Sequence, residues 1–156
     1  MRTQHWTGKI FADYHQFYLW DKGMAPEAPT EYSEQDVRYR IKTGMHVVVI
    51  QPERNLTVPV AIEVHDSEPG CSLDRWDHVA EASLHLPTGA LQVESCTGGS
   101  ITEFEVVPGW YRVRSFHANL TSISIDGLEG EDTYKVVVWP APCSPTKVLK
   151  QFTGAK

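Results

Sequence analysis

Residues 101–116 have the sequence ITEFEVVPGWYRVRSF, in which two alternating segments flank the turn dipeptide Pro108-Gly109. Pairing about that turn predicts an antiparallel hairpin with Phe104 and Val113 on its buried side. On the solvent side the same register sets two opposite-charge pairs, Glu105 with Arg112 and Glu103 with Arg114. Because both faces agree on one register, this stretch predicts β structure more strongly than any other.

Similar alternation continues on both sides of this stretch. One face of residues 56–65 carries only aliphatic side chains, Val58, Val60, Ile62 and Val64, and one face of residues 76–86 carries Ala80, Ala82, Leu84 and Leu86. Residues 45–51 form a continuous apolar run, and residues 90–95 and 134–139 complete the set of predicted strands. We therefore predict an all-β fold, an antiparallel β-sandwich of about seven to nine strands within residues 1–140.

Two segments depart from the β pattern. Ser33 is a good N-cap, acids follow it and bases come before Gly44, so the sequence predicts one short helix near residues 34–42, with Val37 and Ile41 as its apolar face. After residue 140 the prolines predict an extended, proline-containing basic tail over residues 141–156.

The overall charge argues against some partners and favours others. The chain has 20 acidic and 14 basic residues, a net charge of −6. An acidic surface disfavours direct nucleic-acid binding and suits a basic protein partner, although solubility alone accounts for it equally well. The polar residues 1–8 lead us to expect no secretory signal, and no apolar stretch approaches the ~20 residues that span a bilayer. Three widely spaced cysteines, Cys71, Cys96 and Cys143, are expected to be reduced thiols, so we expect a cytoplasmic protein.

The sequence contains no established catalytic or cofactor motif. Gly-x-Ser-x-Gly, the dinucleotide fingerprint and the P-loop are all absent from it. None of its seven histidines has a partner at the i, i+4 spacing of a helical metal site. We therefore expect no catalytic residues, no cofactor and no metal site. Paired carboxylates can be distant in sequence, which leaves an unrecognised hydrolase as a third hypothesis.

The candidate partner-binding residues come first from an acidic loop, residues 126–132, with the sequence DGLEGED. Its acids are Asp126, Glu129, Glu131 and Asp132. They lack the spacing of an EF-hand, so a solvated loop is favoured over a calcium site. If the chain binds a basic partner, this loop is the first place to look.

Two polar groups interrupt otherwise apolar segments. Residues 9–20, KIFADYHQFYLW, favour an aromatic-rich strand, on which Tyr14 and Gln16 would face one way and His15 the other, although helical spacing also fits. The second group is the pair Arg54 and Asn55, between two predicted strands. Both groups could contact a partner. The alternatives are a structural hydrogen-bond network in the first case and a turn with a left-handed Asn in the second.

These landmarks together resemble the competence protein J family, the inhibitors of a bacterial DNA-entry nuclease. The resemblance rests on a series of short matches in order: Tyr14-His15-Gln16-Phe17, Arg54-Asn55, Pro108-Gly109-Trp110-Tyr111 and Asp132-Thr133-Tyr134. It implies a small cytoplasmic β protein that binds and blocks an enzyme. It implies no catalytic residues.

The leading hypothesis is a non-catalytic protein-binding module, an inhibitor of or immunity-like partner to a nuclease. The alternative is a small-molecule or carbohydrate-binding sandwich with tryptophans as stacking platforms, Trp20, Trp76, Trp110 and Trp139. An open-edged sandwich could also pair with a second copy of itself, which leaves a homo-oligomer open.

Overall fold

A computed structural model describes residues 3–97 and 99–154. Over these residues the chain forms eleven strands, one α-helix and three short 3₁₀ turns. In chain order the elements are β1 (Gln4–Phe11), β2 (Phe17–Asp21), α1 (Glu34–Tyr39), β3 (Ile41–Gly44), β4 (Val47–Ile50), β5 (Thr57–Val64), β6 (His78–Leu86), β7 (Ala90–Ser95), β8 (Gly99–Glu105), β9 (Gly109–Ala118), β10 (Thr133–Pro140) and β11 (Lys147–Lys150). Within the described ranges no helix has the length and apolar character needed to cross a membrane.

The strands form two sheets, which confirms the predicted sandwich. The first sheet has the order β1-β5-β10-β9-β6-β11 and the second β3-β4-β2-β7-β8. Neighbouring strands are antiparallel except β5 and β10, which run parallel because β10 returns to the sheet after a long excursion. The strand count exceeds the predicted seven to nine, since β1 begins before the first predicted strand and the short strands β3 and β11 lie in segments where no strand was predicted.

The core fills the space between the two sheets. Alternate residues of β5 and β6 point into it, including Val58, Ile62, Ala80 and Leu84, as the alternating pattern predicts. A second, smaller apolar cluster on the outer face of the first sheet contains Trp139. Burial on both faces explains why several strands have nearly continuous apolar sequences.

The hairpin predicted over residues 101–116 is wrong, although both of its strands exist. β8 pairs with β7 in the second sheet, whereas β9 pairs with β6 and β10 in the first. Pro108 and Gly109 therefore carry the chain from one layer to the other. Glu81 on β6 takes the place predicted for the glutamates of β8, with an oxygen 3.0 Å from Arg114 and another 3.7 Å from Arg112. Two consecutive strands show the same alternation of apolar and polar residues whether they pair with each other or lie in different sheets. The alternation therefore does not identify the partner strand.

The strand predicted over residues 9–20 is also divided between the sheets. β1 ends at Phe11 and β2 begins at Phe17, and a tight turn at residues 12–16 lies between them. The alternating orientation predicted for Tyr14, His15 and Gln16 does not occur, because both Tyr14 and His15 have a φ of 58°. Because aromatic residues lie on both sides of the turn, the sequence pattern does not reveal it.

The helix begins as predicted but ends earlier. Ser33 and Asp36 form a reciprocal capping box, with the Asp36 amide donating to Ser33 Oγ at 3.0 Å. Arg40 has a left-handed backbone and ends the helix, and Ile41 then starts β3. The apolar face predicted for this helix does not form, since Val37 remains exposed while Ile41 is buried in the sandwich.

The proline-containing segment after residue 140 runs along the outside of the first sheet. Arg112 holds it by donating to the carbonyls of Ser144 at 2.9 Å and Pro145 at 2.8 Å. The segment then enters the sheet as β11, antiparallel to β6. Residues 147–150 therefore belong to the sandwich.

Candidate partner-binding surface

The residues predicted to bind a partner gather at one end of the sandwich. They lie in three connections: residues 12–16 between β1 and β2, residues 51–56 between β4 and β5, and residues 119–132 between β9 and β10. The connections contain all nine of them, Tyr14, His15, Gln16, Arg54, Asn55, Asp126, Glu129, Glu131 and Asp132. We call this end of the molecule, residues 12–16, 51–56 and 119–132, the acidic end.

Asn55 fixes the turn that presents Tyr14. Its side-chain oxygen accepts a hydrogen bond from the Tyr14 amide at 2.7 Å, and the Ala12 amide donates to the Leu56 carbonyl at 2.9 Å. The left-handed backbone at Tyr14 and His15 costs of the order of 1–3 kcal/mol for each residue, which these bonds offset in part. As a result the Tyr14 ring is 66% exposed at the surface.

Gln16 belongs to a structural hydrogen-bond network, which was one of the two alternatives that the sequence left open for residues 14–16. Its side-chain oxygen accepts from the hydroxyls of Tyr18 at 2.7 Å and Tyr32 at 3.0 Å. Burial raises the pKa of both phenols, that of Tyr32 to about 12. Both hydroxyls therefore stay protonated and keep Gln16 in place beneath a shallow groove of about 270 Å³ that Tyr14, His15 and Val37 also line.

Arg54 and Asp132 form a buried ion pair beneath the surface of the acidic end. Asp132 is fully buried, and its Oδ1 lies 2.7 Å from Arg54 Nε, as an ion pair rather than an aligned hydrogen bond. Tyr134 donates its hydroxyl to the other Asp132 oxygen and accepts from the Glu53 amide at 3.0 Å. The two buried charged side chains therefore hold the loops in position, and other side chains of these loops are exposed.

Two buried histidines extend this network toward the core. His78 Nε2 lies 2.7 Å from the Tyr39 carbonyl, and its Nδ1 lies 3.1 Å from the Phe152 amide. The His117 ring lies beside those of His78 and Tyr134, with centroid distances of 5.5 and 4.9 Å. Burial lowers the pKa of His78 to about 4 and holds the pKa of His117 well below its ordinary value. Both rings are therefore neutral near pH 7.

The loop between β9 and β10 is compact although it lies at the surface. Ser124 Oγ donates to Asp126 Oδ1 at 2.6 Å, and the Leu128 amide donates to the same oxygen at 3.0 Å. Gly127 has a φ of 74°, which a glycine adopts without strain. These bonds turn Ile125 completely outward and leave Leu128 61% exposed. The loop therefore presents an apolar tip that is already ordered.

Acidic side chains surround this apolar tip. Glu129 and Glu131 are exposed, and residues 119–132 include no lysine or arginine. Phe11, Tyr14 and Val37 add further exposed apolar side chains at or beside the same end. Aromatic and aliphatic anchors within a polar rim are typical of protein-binding surfaces.

Sequence reasoning located the three connections but missed part of what they present. The exposed tip residues Ile125 and Leu128 lie in a segment selected for its acids alone. The histidine pair was missed because His78 and His117 are 39 positions apart, and only the β6–β9 register brings them together. In residues 3–97 and 99–154 no group of three or more His, Cys, Asp or Glu side chains is placed to hold a metal ion.

Comparison with known proteins gives a structural likeness. No protein-family model matches the chain. No curated protein matches it either. Among solved structures, ComJ from Bacillus subtilis, an inhibitor of the DNA-degrading activity of NucA, superposes with a TM-score of 0.69 at 15% identity, over 90% of this chain and 100% of ComJ. The product of crocagin biosynthetic gene J superposes with a TM-score of 0.60 at 18% identity, over 91% of this chain and 100% of its own.

The chain has a ComJ-like fold. The resemblance drawn from the sequence to the competence protein J family is therefore confirmed at the level of the fold. At these identities the likeness establishes the arrangement of strands and not the identity of a partner. The ComJ-like fold covers 90% of this chain.

Proposed function

We propose that this chain is a non-catalytic module that binds a basic protein, a nuclease, through its acidic end. The observation that carries the proposal is the preformed loop whose apolar tip, Ile125 and Leu128, lies among exposed acids. An ordered loop loses little conformational entropy on binding, and buried apolar anchors provide most of the affinity of a protein interface.

Charge supports a basic partner. The net charge of −6 and the absence of bases from residues 119–132 favour attraction to a protein with a positive surface. A nuclease must hold phosphates and so carries such a surface. The ComJ-like fold adds support, because ComJ itself inhibits a nuclease. The proposal places the interaction in the cytoplasm, consistent with free thiols at Cys71, Cys96 and Cys143.

A non-catalytic role is supported by where the titratable side chains lie. Among the side chains at or beside this end with the chemistry of general acids and bases, His78, His117 and Asp132 lie closest together, and all three are fully buried. They are bonded or packed within the fold instead of converging on an open cleft. This arrangement argues against the hydrolase hypothesis.

A capture experiment with charge-matched variants tests the proposal. The immobilised protein is incubated with a lysate of its source organism, the bound fraction is eluted with salt, and its DNA-degrading activity is assayed. We expect wild-type protein to retain a nuclease activity and, when added back in solution, to suppress it. We expect the double variant Glu129→Lys/Glu131→Lys to retain much less, because neither side chain is bonded to any residue in the described part of the chain and only the surface charge changes.

The control is the double variant Glu27→Lys/Glu105→Lys, which makes the same change in net charge away from the acidic end. Glu105 ends β8 at the opposite end of the sandwich, and Glu27 lies between β2 and α1. We expect this variant to behave as wild type. Capture of no nuclease activity, or equal losses in the two variants, would refute the proposal.

A further inference from the structure

A second concave site lies at the end of the sandwich opposite the acidic end. The β6–β9 register runs from His78 and His117 at the acidic end to His85 and Trp110 at the other. There a groove of about 480 Å³ is enclosed by residues 43–46, His85, Trp110 and residues 143–146. We call it the ring groove. Its volume is within the range of small-molecule sites, about 300–1,000 Å³.

Three rings line the groove in sequence. The His85 ring stacks on Trp110 with centroids 4.5 Å apart and an angle of 13°, and the His46 ring follows at 5.3 Å. Beside them Met45 is 82% exposed and Trp110 is 42% exposed. Large apolar side chains that remain in water within a concavity indicate a site for an apolar ligand.

Several polar atoms of the groove wall are already bonded within the protein. Thr43 donates its hydroxyl to the Ser83 carbonyl at 3.2 Å, and Ser83 Oγ receives hydrogen bonds from Arg112 at 3.0 Å and from the Ser144 amide at 2.9 Å. His46 Nδ1 lies 3.4 Å from the His85 carbonyl. These contacts hold the walls in place before any ligand arrives.

The groove also lacks formal charge. None of its lining residues is Asp, Glu, Lys or Arg, in a chain where such residues make up 22% of the sequence. Arg112 lies behind the wall and is bonded to the carbonyls of Ser144 and Pro145. A charged ligand would lose hydration in the groove without gaining an ionic partner.

We propose that the ring groove binds an uncharged aromatic small molecule, which packs against Trp110 and Met45. This function is separate from the proposed binding of a nuclease, which uses the acidic end. Stacked rings and the soft thioether of methionine both favour a flat apolar ligand. The hydroxyls of Thr43 and Ser83 are bonded within the protein, which argues for an aromatic ligand over a carbohydrate.

Equilibrium titration with a neutral dye tests the proposal. The probe is prodan, an uncharged naphthalene whose fluorescence reports transfer to an apolar site. We expect saturable binding of one dye per chain. Trp110→Ala and Met45→Ser should each weaken binding by about tenfold, because each removes a large contact surface. Met45 is so exposed that Met45→Ser keeps the test valid if Trp110→Ala fails to fold.

The matched control is Leu128→Ser, which removes an exposed apolar side chain from the acidic end and should leave dye binding unchanged. Two further titrations test the ligand class, one with the anionic dye 1-anilinonaphthalene-8-sulfonate and one with methyl β-D-glucopyranoside. The proposal is overturned by an absence of saturable prodan binding, by equal weakening in the control, or by tighter binding of the anion or the sugar. Nuclease capture is a separate readout, so either proposal can fail alone.

Discussion

At the scale of single residues, the buried pair of Arg54 and Asp132 holds in position the loops that form the surface of the acidic end. Asp132 is an acid in an acidic loop, yet it is fully buried and bound to Arg54 and Tyr134. Removing one partner leaves the other charge buried and unpaired, which costs far more than losing an exposed ion pair.

We therefore expect Asp132→Asn to lower the free energy of unfolding by about 3–5 kcal/mol. Glu131→Gln, the same kind of change at the exposed neighbouring position, should stay within about 0.5 kcal/mol of wild type. Urea denaturation followed by tryptophan fluorescence measures both. Equal effects in the two variants would mean that the ion pair does not anchor the loop.

The two buried histidines predict a specific dependence of stability on pH. An unfolded chain protonates each histidine near pH 6.5, whereas burial lowers the pKa of His78 to about 4 and that of His117 well below its ordinary value. Below about pH 6.5 the unfolded state thus binds more protons than the folded state, and stability falls as the pH is lowered toward 4. Each histidine contributes a slope of up to ~1.4 kcal/mol per pH unit in that window, and nothing above it.

His117→Phe isolates this effect because neither His117 nitrogen has a hydrogen-bond partner within residues 3–97 and 99–154, and the ring packs on His78 and Tyr134. We expect the variant to lose part of the acid slope and to keep its stability at pH 7.5. His15→Phe, at an exposed position, should keep the full slope. The groups that face the pair, Arg40 and Glu53, are unchanged in both variants. A slope unchanged in His117→Phe would contradict this assignment.

At the scale of elements, the sequence predicted strands well and their partners poorly. β5 and β6 were identified with the correct buried faces, because alternation over eight or nine residues depends only on which side is covered. The hairpin over residues 101–116 was wrong because its charge pattern fits equally well against Glu81 of β6. Pairing is a choice among distant strands, and a local pattern holds no information about it.

The same limit applies to the candidate site. Tyr14, Arg54 and Asn55 were selected from polar groups that interrupt apolar segments, and Asp132 from the acidic loop. The fold pairs Tyr14 with Asn55 and Arg54 with Asp132. The exposed tip at Ile125 and Leu128 could not be predicted, since it depends on hydrogen bonds from Ser124 and the Leu128 amide that shape the loop.

The pairing of β9 with β6 leads to a prediction that distinguishes this register from the predicted hairpin of β8 with β9. Glu81→Gln should destabilise the protein by about 2–3 kcal/mol, because it removes the buried charge that Arg112 and Arg114 share. The cost is moderated by Glu68, which lies 2.9 Å from Arg114. Glu105→Gln, which the predicted hairpin would make important, should be neutral within about 0.5 kcal/mol. Urea denaturation of the two variants decides between the sandwich register and the hairpin.

At the scale of the whole molecule, the two ends of the sandwich differ in chemistry. The acidic end presents charge around an ordered apolar tip, and the ring groove at the other end presents rings without formal charge. The sheets between them form one continuous core. A protein of this shape can bind a large charged partner and a small neutral molecule without competition.

The acidic end itself has two parts, the exposed acids and the apolar tip. Their different roles predict how binding of a nuclease would depend on salt. Exposed acids steer a basic partner over distances that salt screens, with a Debye length of about 10 Å at 0.1 M. Raising the ionic strength from about 0.05 to about 0.3 M should therefore slow association, measured by stopped-flow mixing with the captured nuclease.

Glu129→Lys/Glu131→Lys should reduce both the association rate and its salt dependence. Ile125→Ser/Leu128→Ser should instead speed dissociation and leave the salt dependence intact, because apolar anchors act only once the surfaces have met. If the two double variants changed the same rate constant, the acids and the apolar tip would not have the separate roles assigned to them.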